Sequence, residues 1–238
     1  MKLALFADIH GNLVSFEAVL ADIAKEAPDQ MVCLGDVAAT GPQPREVLAR
    51  LRDLDIPIVQ GNTDGWLLNP QPFGQDDPKY RYISDIDMWN ASLLTEEDIA
   101  FLKTFQKTVE LDLGSKAVLC FHGSPLYHSD TIVATTPDDK LAPYLDDFSA
   151  DIFAGGHTHQ PYARRYKDRL LLNPGSVGLP YLKIGDRIES PPWAEYAILE
   201  ITGNRFSVDL RQAAVDKTAV NQAAFDSGMP HAEWWTTH

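Results

Sequence analysis

Cysteine, positive charge and long apolar runs are all scarce in this chain, and each shortage closes off a class of protein. The 238 residues include two cysteines, Cys33 and Cys120. Both sit inside apolar runs, MVCLG and AVLCFHG, and so read as buried reduced thiols of a cytoplasmic protein. A disulfide framework and a cysteine-based zinc site are excluded. Lys and Arg number 20 against 34 Asp and Glu, a formal net charge of −14 that repels an extended phosphate backbone. A nucleic-acid polymer is therefore not an expected partner. No stretch approaches the roughly 18 to 20 consecutive apolar residues of a membrane span, which excludes membrane spanning. MKLALFADIHGN places an Asp and a His where a secretory signal would need a small-residue cleavage site, so it reads as a first strand. Internal repeats and low-complexity tracts are also missing, and one domain over residues 1–238 is expected.

What is present is a pattern of short apolar runs alternating with helical periodicity, the mark of βαβ units in an α/β protein. Residues 2–7 read as a buried strand. Phe16, Val19, Leu20 and Ile23 then recur at helical spacing, so one face of the following segment can pack on that strand, with Asn12 as its N-cap. Residues 31–34 form a second strand, 45–54 a second helix entered through GPQPR, and 57–60 a third strand. Residues 69–90 show no clear period and are expected to cross the surface as an ordered excursion, or lid. Thr95 with Asp98 three residues on marks the start of a short helix running through Phe105. Strands follow at 116–121, 152–155, 170–173, 195–201 and 205–211, the last two joined closely enough to pair antiparallel, which implies a second sheet. Residues 217–225 read as a terminal helix, with Trp234 and Trp235 covering an apolar patch or a contact between copies and His231 and His238 solvated. Nothing decides whether Tyr181 and Arg187 line a cleft.

The chemically distinctive residues fall at the C-terminal ends of strands, where open α/β sheets place their sites. They are Asp8 and His10 in DIHGN, Asp36 after Gly35, Asn62 in GNTD, His122 in HGS, and His157 and His159 in GGHTH. Asp8 and His10 are two residues apart on a chain leaving a strand, so both side chains can point the same way, and so can His157 and His159. Two carboxylates, one amide oxygen and four imidazoles suit borderline divalent metals. Seven ligands imply two ions, with Asp36 the best candidate to bridge them.

The series DIHGN, GD, GNTD, HGSP and GHTH resembles the calcineurin-like metallophosphoesterase superfamily, and within it the small bacterial phosphodiesterase branch. The likeness extends to Asn173-Pro174-Gly175-Ser176, to LTEEDIAFL and to the SGMPHAE tail. It implies a four-layer α/β/β/α sandwich of two mixed sheets flanked by helices. It also implies that Asp8, His10, Asp36 and His159 hold one ion, and that Asp36, Asn62, His122 and His157 hold the other. Manganese is the first expectation, with iron, nickel, cobalt or zinc as alternatives. The expected reaction is hydrolysis of a small soluble phosphate ester, foremost a phosphodiester, by a metal-bridging hydroxide, with Asp36, Asn62 and His122 as catalytic residues. Asn12 and His128 are candidate substrate contacts, their alternative readings being a cap alone for Asn12 and an exposed loop residue for His128.

One position departs from the family pattern. Thr63 stands where a histidine often follows the Gly-Asn pair, and a threonine cannot protonate a leaving group near neutral pH. Esters with good leaving groups should then be preferred. A phosphomonoesterase, a dinucleotide polyphosphatase and a non-catalytic metal-binding scaffold are the alternative readings, and self-association is left open. Asp64 is expected to fix the turn or to orient a ligand.

Overall fold

The computed structural model describes residues 1–185 and 187–237, so His238 lies outside the described residues. In chain order the elements are β1 (Lys2–Phe6), α1 (Leu13–Glu26), β2 (Gln30–Cys33), α2 (Pro44–Leu54), α3 (Asn62–Leu67), α4 (Pro78–Leu93) and α5 (Glu96–Leu102). There follow β3 (Val109–Asp112), β4 (Ala117–Cys120), α6 (Asp138–Leu145), β5 (Ile152–Ala154), β6 (Tyr162–Tyr166) and β7 (Arg169–Asn173). The chain continues through β8 (Leu182–Ile184), β9 (Arg187–Glu189), β10 (Trp193–Thr202), β11 (Arg205–Ala214), α7 (Lys217–Asp226) and α8 (Ala232–Trp235).

Period-two alternation in the buried strands sets the layers. Leu3 and Leu5 of β1 join an apolar cluster with Val118 and Cys120 of β4 and Leu170 and Leu172 of β7. Ala4 and Phe6 point the other way, onto Phe16 and Val19 of α1 and Leu48 of α2. A strand buried on both faces must be apolar at every position, which is what LALF supplies. In the second sheet Leu119, Phe153 and Leu171 face Leu141 and Leu145 of α6. Helix, sheet, sheet, helix is thus the order of layers, the expected α/β/β/α sandwich.

The first sheet has strand order β11-β10-β1-β2, with β1 parallel to β2 and antiparallel to β10. The second has order β3-β4-β5-β7-β6, its three central strands parallel. β8 and β9 form a separate two-stranded hairpin. Loops leaving the C-terminal ends of β1, β2, β4 and β5 therefore gather at one edge of the stacked sheets. Among the described residues no helix is long and apolar enough to cross a membrane.

Three local expectations need correction. Residues 57–60 form no strand; Ile58 and Val59 make only isolated bridges to Cys33 and Gln106. The supposed excursion at 69–90 is largely helix α4, which starts at Pro78 with the Asp77 side chain accepting from the Lys79 N–H. Its period was illegible because its buried face carries Ser84, Asp87 and Asn90 beside Ile86. His231 is not a free tail residue: its Nε2 lies 2.8 Å from Asp85 Oδ2 and its ring stacks on Tyr82 at 4.1 Å. Trp234 and Trp235 pack with Trp89 around Ile86, Ala224 and Met229, so the tail closes over α4. By contrast, α5 opens with the expected reciprocal cap between Thr95 and Asp98.

The polar face of α4 stabilises the loop after β2. Thr40, at φ 71°, donates its hydroxyl to Asp87 (2.9 Å) and its N–H to Asn90 (2.9 Å), while Asn90 donates to the Gly41 carbonyl (2.8 Å). Burial, opposed by the Thr40 hydrogen bond, pushes the Asp87 carboxyl up to about 7. The folded value lies above that of an unfolded Asp, about 3.9. Stability from this group is thus complete below about pH 4 and is lost as pH rises through about 7, at up to roughly 1.4 kcal/mol per pH unit. Asp87→Asn is neutral throughout, so its melting temperature should fall less than that of the wild type between pH 5 and pH 8. Parallel profiles for the two proteins would clear Asp87 of this role.

Candidate metal centre

Seven polar side chains converge at the gathered strand ends. Asp8, His10 and His159 present ligand atoms that all lie within 4.8 Å of one another, and so do Asp36, His122 and His157. Asn62, the first residue of α3, adds its Oδ1 at 3.2 Å from His122 Nε2. Asp36 stands between the two groups: its Oδ2 is 3.3 Å from His122 Nε2 and 4.0 Å from His10 Nε2.

The backbone bends sharply to achieve this. Asp8, His10, Asp36, His157 and His159 have φ of 57°, 48°, 54°, 69° and 55°, the left-handed region that non-glycine residues seldom enter. Each such residue costs on the order of 1 kcal/mol and persists only when its surroundings enforce it. The enforcing contacts are visible. Gly35, at φ 99°, packs so closely on the next loop that a Cβ there would lie 2.6 Å from the Gly61 nitrogen. Asp64 accepts from the N–H groups of Asp36 (2.9 Å), Val37 (2.9 Å) and Gly61 (2.8 Å), pinning the Asp36 loop to the start of α3. Burial and the charge of Asp36 together push the Asp64 carboxyl upward. Ser176 donates its hydroxyl to the Asp8 carbonyl (2.8 Å), and Asn173 donates to the Gly156 carbonyl (2.6 Å), so the NPGS segment braces both ligand loops.

Three imidazoles are oriented by carbonyls, which can only accept. The Nδ1–H groups of His10, His122 and His159 donate to Ala39 (3.1 Å), Leu34 (2.7 Å) and Leu179 (3.0 Å). Every Nε2 is thereby turned inward. His10 Nε2 and His159 Nε2 stand 3.1 Å apart, a separation that two ring nitrogens tolerate only with a proton or a cation between them. Asp8 Oδ1 is fully buried with no hydrogen-bond partner, its neighbours being His159 Nε2 at 3.5 Å and His122 Nε2 at 3.9 Å. An orphaned carboxylate oxygen in an interior is costly unless a cation completes it. The donor set of carboxylate, amide and imidazole atoms fits a borderline divalent metal.

The side chains of the cluster shift one another's affinity for protons. Burial pushes His10 down to about 4, with His159 adding to the effect. His122 is also penalised by burial, but Asp36 and Asp8 overcome this and hold it up to about 10. Burial acts upward on Asp36, yet His122 and His10 keep its carboxyl well below the usual range. Metal must displace such protons to bind, so uptake at these residues weakens as pH falls.

The two candidate substrate residues are placed differently. Asn12 is committed to the fold at both ends of its amide, its Oδ1 capping α1 through the Ser15 N–H (3.1 Å) and its Nδ2 donating to the Gly178 carbonyl (3.1 Å). His128 is half-buried beside α3, with Nε2 3.8 Å from where a Cβ on Gly65 would sit. Burial and nearby His122 lower its pKa. Thr63 contributes its N–H to Asp36 Oδ1 at 2.9 Å, and its own hydroxyl is buried without a partner. The carbonyls of Leu34, Ala39 and Leu179 were not foreseeable, because backbone atoms leave no trace in residue types.

Residues 1–204 match the model of the calcineurin-like phosphoesterase superfamily domain. The chain belongs to that superfamily. The chain is 30% identical over 195 residues to the uncharacterized protein MJ0912 of Methanocaldococcus jannaschii, covering 75% of this chain and 76% of the relative. A metallophosphoesterase from Sphaerobacter thermophilus superposes with TM-score 0.76 at 25% identity over 100% of this chain and 98% of the other. The hypothetical protein PH1004 from Pyrococcus horikoshii OT3 shares the fold with TM-score 0.83 at 19% identity, again over 100% and 98%. The family depends on two metal ions, and the chain presents two candidate ligand clusters.

Proposed function

We propose that this phosphoesterase is a phosphodiesterase of small soluble esters, a single domain whose Asp8, His10 and His159 hold one divalent ion and whose Asn62, His122 and His157 hold the second. Asp36 is shared. The observation that carries this reading is the placement of Asp36 Oδ2 between the two histidine groups, together with the orphaned Asp8 Oδ1. Manganese is the proposed ion, since the ligands are mixed oxygen and nitrogen; iron, cobalt, nickel and zinc suit the same set. When bound, two such ions acidify a water molecule and neutralise phosphoryl charge.

The protein's own groups do the positioning. Leu34 and Leu179 fix the rings of His122 and His159, and the Thr63 N–H fixes Asp36. No acid stands at Thr63, and His128 is biased toward its neutral form, so the leaving oxygen departs without a strong proton donor. Diesters with stable leaving groups are the substrates this favours. Buried unpaired Cys33 and Cys120 suit a reducing compartment, and we place the protein in the cytoplasm.

The test is hydrolysis of bis(p-nitrophenyl) phosphate and of p-nitrophenyl phosphate by metal-stripped protein resupplied with Mn²⁺. Faster cleavage of the diester, dependent on the metal, is expected. Preference for the monoester would make the protein a phosphomonoesterase. Two bound ions with neither ester cleaved would leave the scaffold reading standing.

A further inference from the structure

A cavity of about 750 Å³ opens beside the metal centre, beginning at His159 and the loop residues Gly178 and Leu179. Its size is that of a small-molecule site. The Leu179 carbonyl orients His159 from one side while the residue lines the cavity on the other, so cavity and metal centre share a wall. The far walls come from α4, β8, β10, α7 and α8. Tyr181, Trp193 and Trp235 supply aromatic surface, and Lys79, Lys183 and Lys217 supply cations. Lys217 and Trp235, which lie beyond residue 204 where the family match ends, complete this wall.

Its charge runs against that of the whole molecule. The chain carries −14, with 34 acidic residues, yet no acid is found among the described residues that line the cavity. The two-ion centre would neutralise the phosphoryl group being cleaved, which leaves Lys79 and Lys183 to meet a different anion. Aromatic planes and lysines on one wall match a flat ring bearing negative charge, the nearby Glu195 carboxylate being engaged by the Trp193 Nε1–H at 3.2 Å. The wall is also braced: Trp235 Nε1–H donates to the Thr40 carbonyl (2.7 Å) and Lys217 Nζ to the Ser190 carbonyl (2.6 Å).

We propose that this cavity binds the organic arm of the substrate, and that the arm is an aromatic anion of nucleotide size whose ring lies on Tyr181, Trp193 and Trp235 and whose further negative charge meets Lys79 and Lys183. The proposal rests on the phosphoesterase reading and names the class of ester that site receives.

Calorimetric titration of the Mn²⁺-loaded full chain tests it with three non-hydrolysable probes: adenosine 5′-(α,β-methylene)diphosphate, adenosine and methylenediphosphonate. The nucleotide is expected to bind at least about tenfold more tightly than either fragment, the gain of joining two contacts in one ligand. Lys79 and Lys183 are exposed and outside the core, so the double variant K79A/K183A should fold. It should weaken the nucleotide about tenfold and leave adenosine unchanged. Trp193→Leu should weaken both adenosine and the nucleotide. Methylenediphosphonate binding as tightly as the nucleotide would show that the aromatic wall contributes nothing and would overturn the proposal. So would nucleotide affinity untouched by K79A/K183A. Wild-type hydrolysis of bis(p-nitrophenyl) phosphate, measured alongside, separates the two failures. Hydrolysis without nucleotide binding removes the pocket alone, whereas nucleotide binding without hydrolysis removes the phosphodiesterase reading.

Discussion

Asp36→Asn is expected to lower hydrolysis of bis(p-nitrophenyl) phosphate by about a thousandfold or more, the scale on which loss of a principal electrostatic group acts. The substitution keeps the shape and one acceptor, so Thr63 N–H can still be satisfied through Oδ1. What it removes is the negative charge between His10 and His122, at 4.0 and 3.3 Å. Asp8 then remains as the one carboxylate among seven converging ligands, and it must balance both ions alone. Elemental analysis should find fewer than two Mn²⁺ per chain in the variant, and added Mn²⁺ should not restore the wild-type rate. Full occupancy with wild-type activity would show that Asp36 is not the shared ligand. Lower pH should mimic the variant in part, because protons compete for His122, which the neighbouring carboxylates hold up to about 10.

Gly61→Ala should be nearly as damaging although it touches no charge. A Cβ at residue 61 would overlap the Asp36 carboxylate and the Asp36 backbone nitrogen. The φ at Gly61 is −81°, a value any residue adopts, so the obstacle is space and not backbone conformation. Relief requires Asp36 to rotate away from the ions or the β2 loop to part from α3. The second route breaks the hydrogen bonds from Asp36 and Val37 to Asp64. Overpacking of this kind costs about 1–3 kcal/mol of stability. Disturbing the support of a metal ligand costs about 10- to 100-fold in metal affinity. A thermal melt together with a Mn²⁺ titration would separate the two effects. An unchanged titration would mean that the loop absorbs the methyl group without moving Asp36.

The chemistry was more legible than its support. Aspartate, asparagine and histidine at the ends of apolar runs announce themselves by residue type, and the strand and helix at the N-terminus follow from spacing alone. α4 did not, because bonds of Asp87 and Asn90 to Thr40 and Gly41, and of Ser84 to the Phe73 N–H, replace the apolar stripe by hydrogen bonds that one-dimensional periodicity cannot register. Nor could the left-handed backbone at Asp8, His10, Asp36, His157 and His159 be read, since these residue types usually adopt ordinary conformations. The cavity wall was equally hidden. Lys79, Lys183, Lys217 and Trp235 are separated by long stretches of chain, and only the docking of the tail on α4 makes them neighbours.

Residue order therefore carried the fold class and the family and pointed to the residues of the candidate site, because each rests on local patterns: apolar runs, helical spacing, and polar residues directly after strands. Packing in three dimensions assigned the rest. It set which face of LALF meets helix and which meets sheet, since a run apolar on both faces is ambiguous until its neighbours arrive. It also brought Asp36 between two groups of histidines drawn from both sheets, through strained loops that hold their shape only because contacts distant in sequence enforce it.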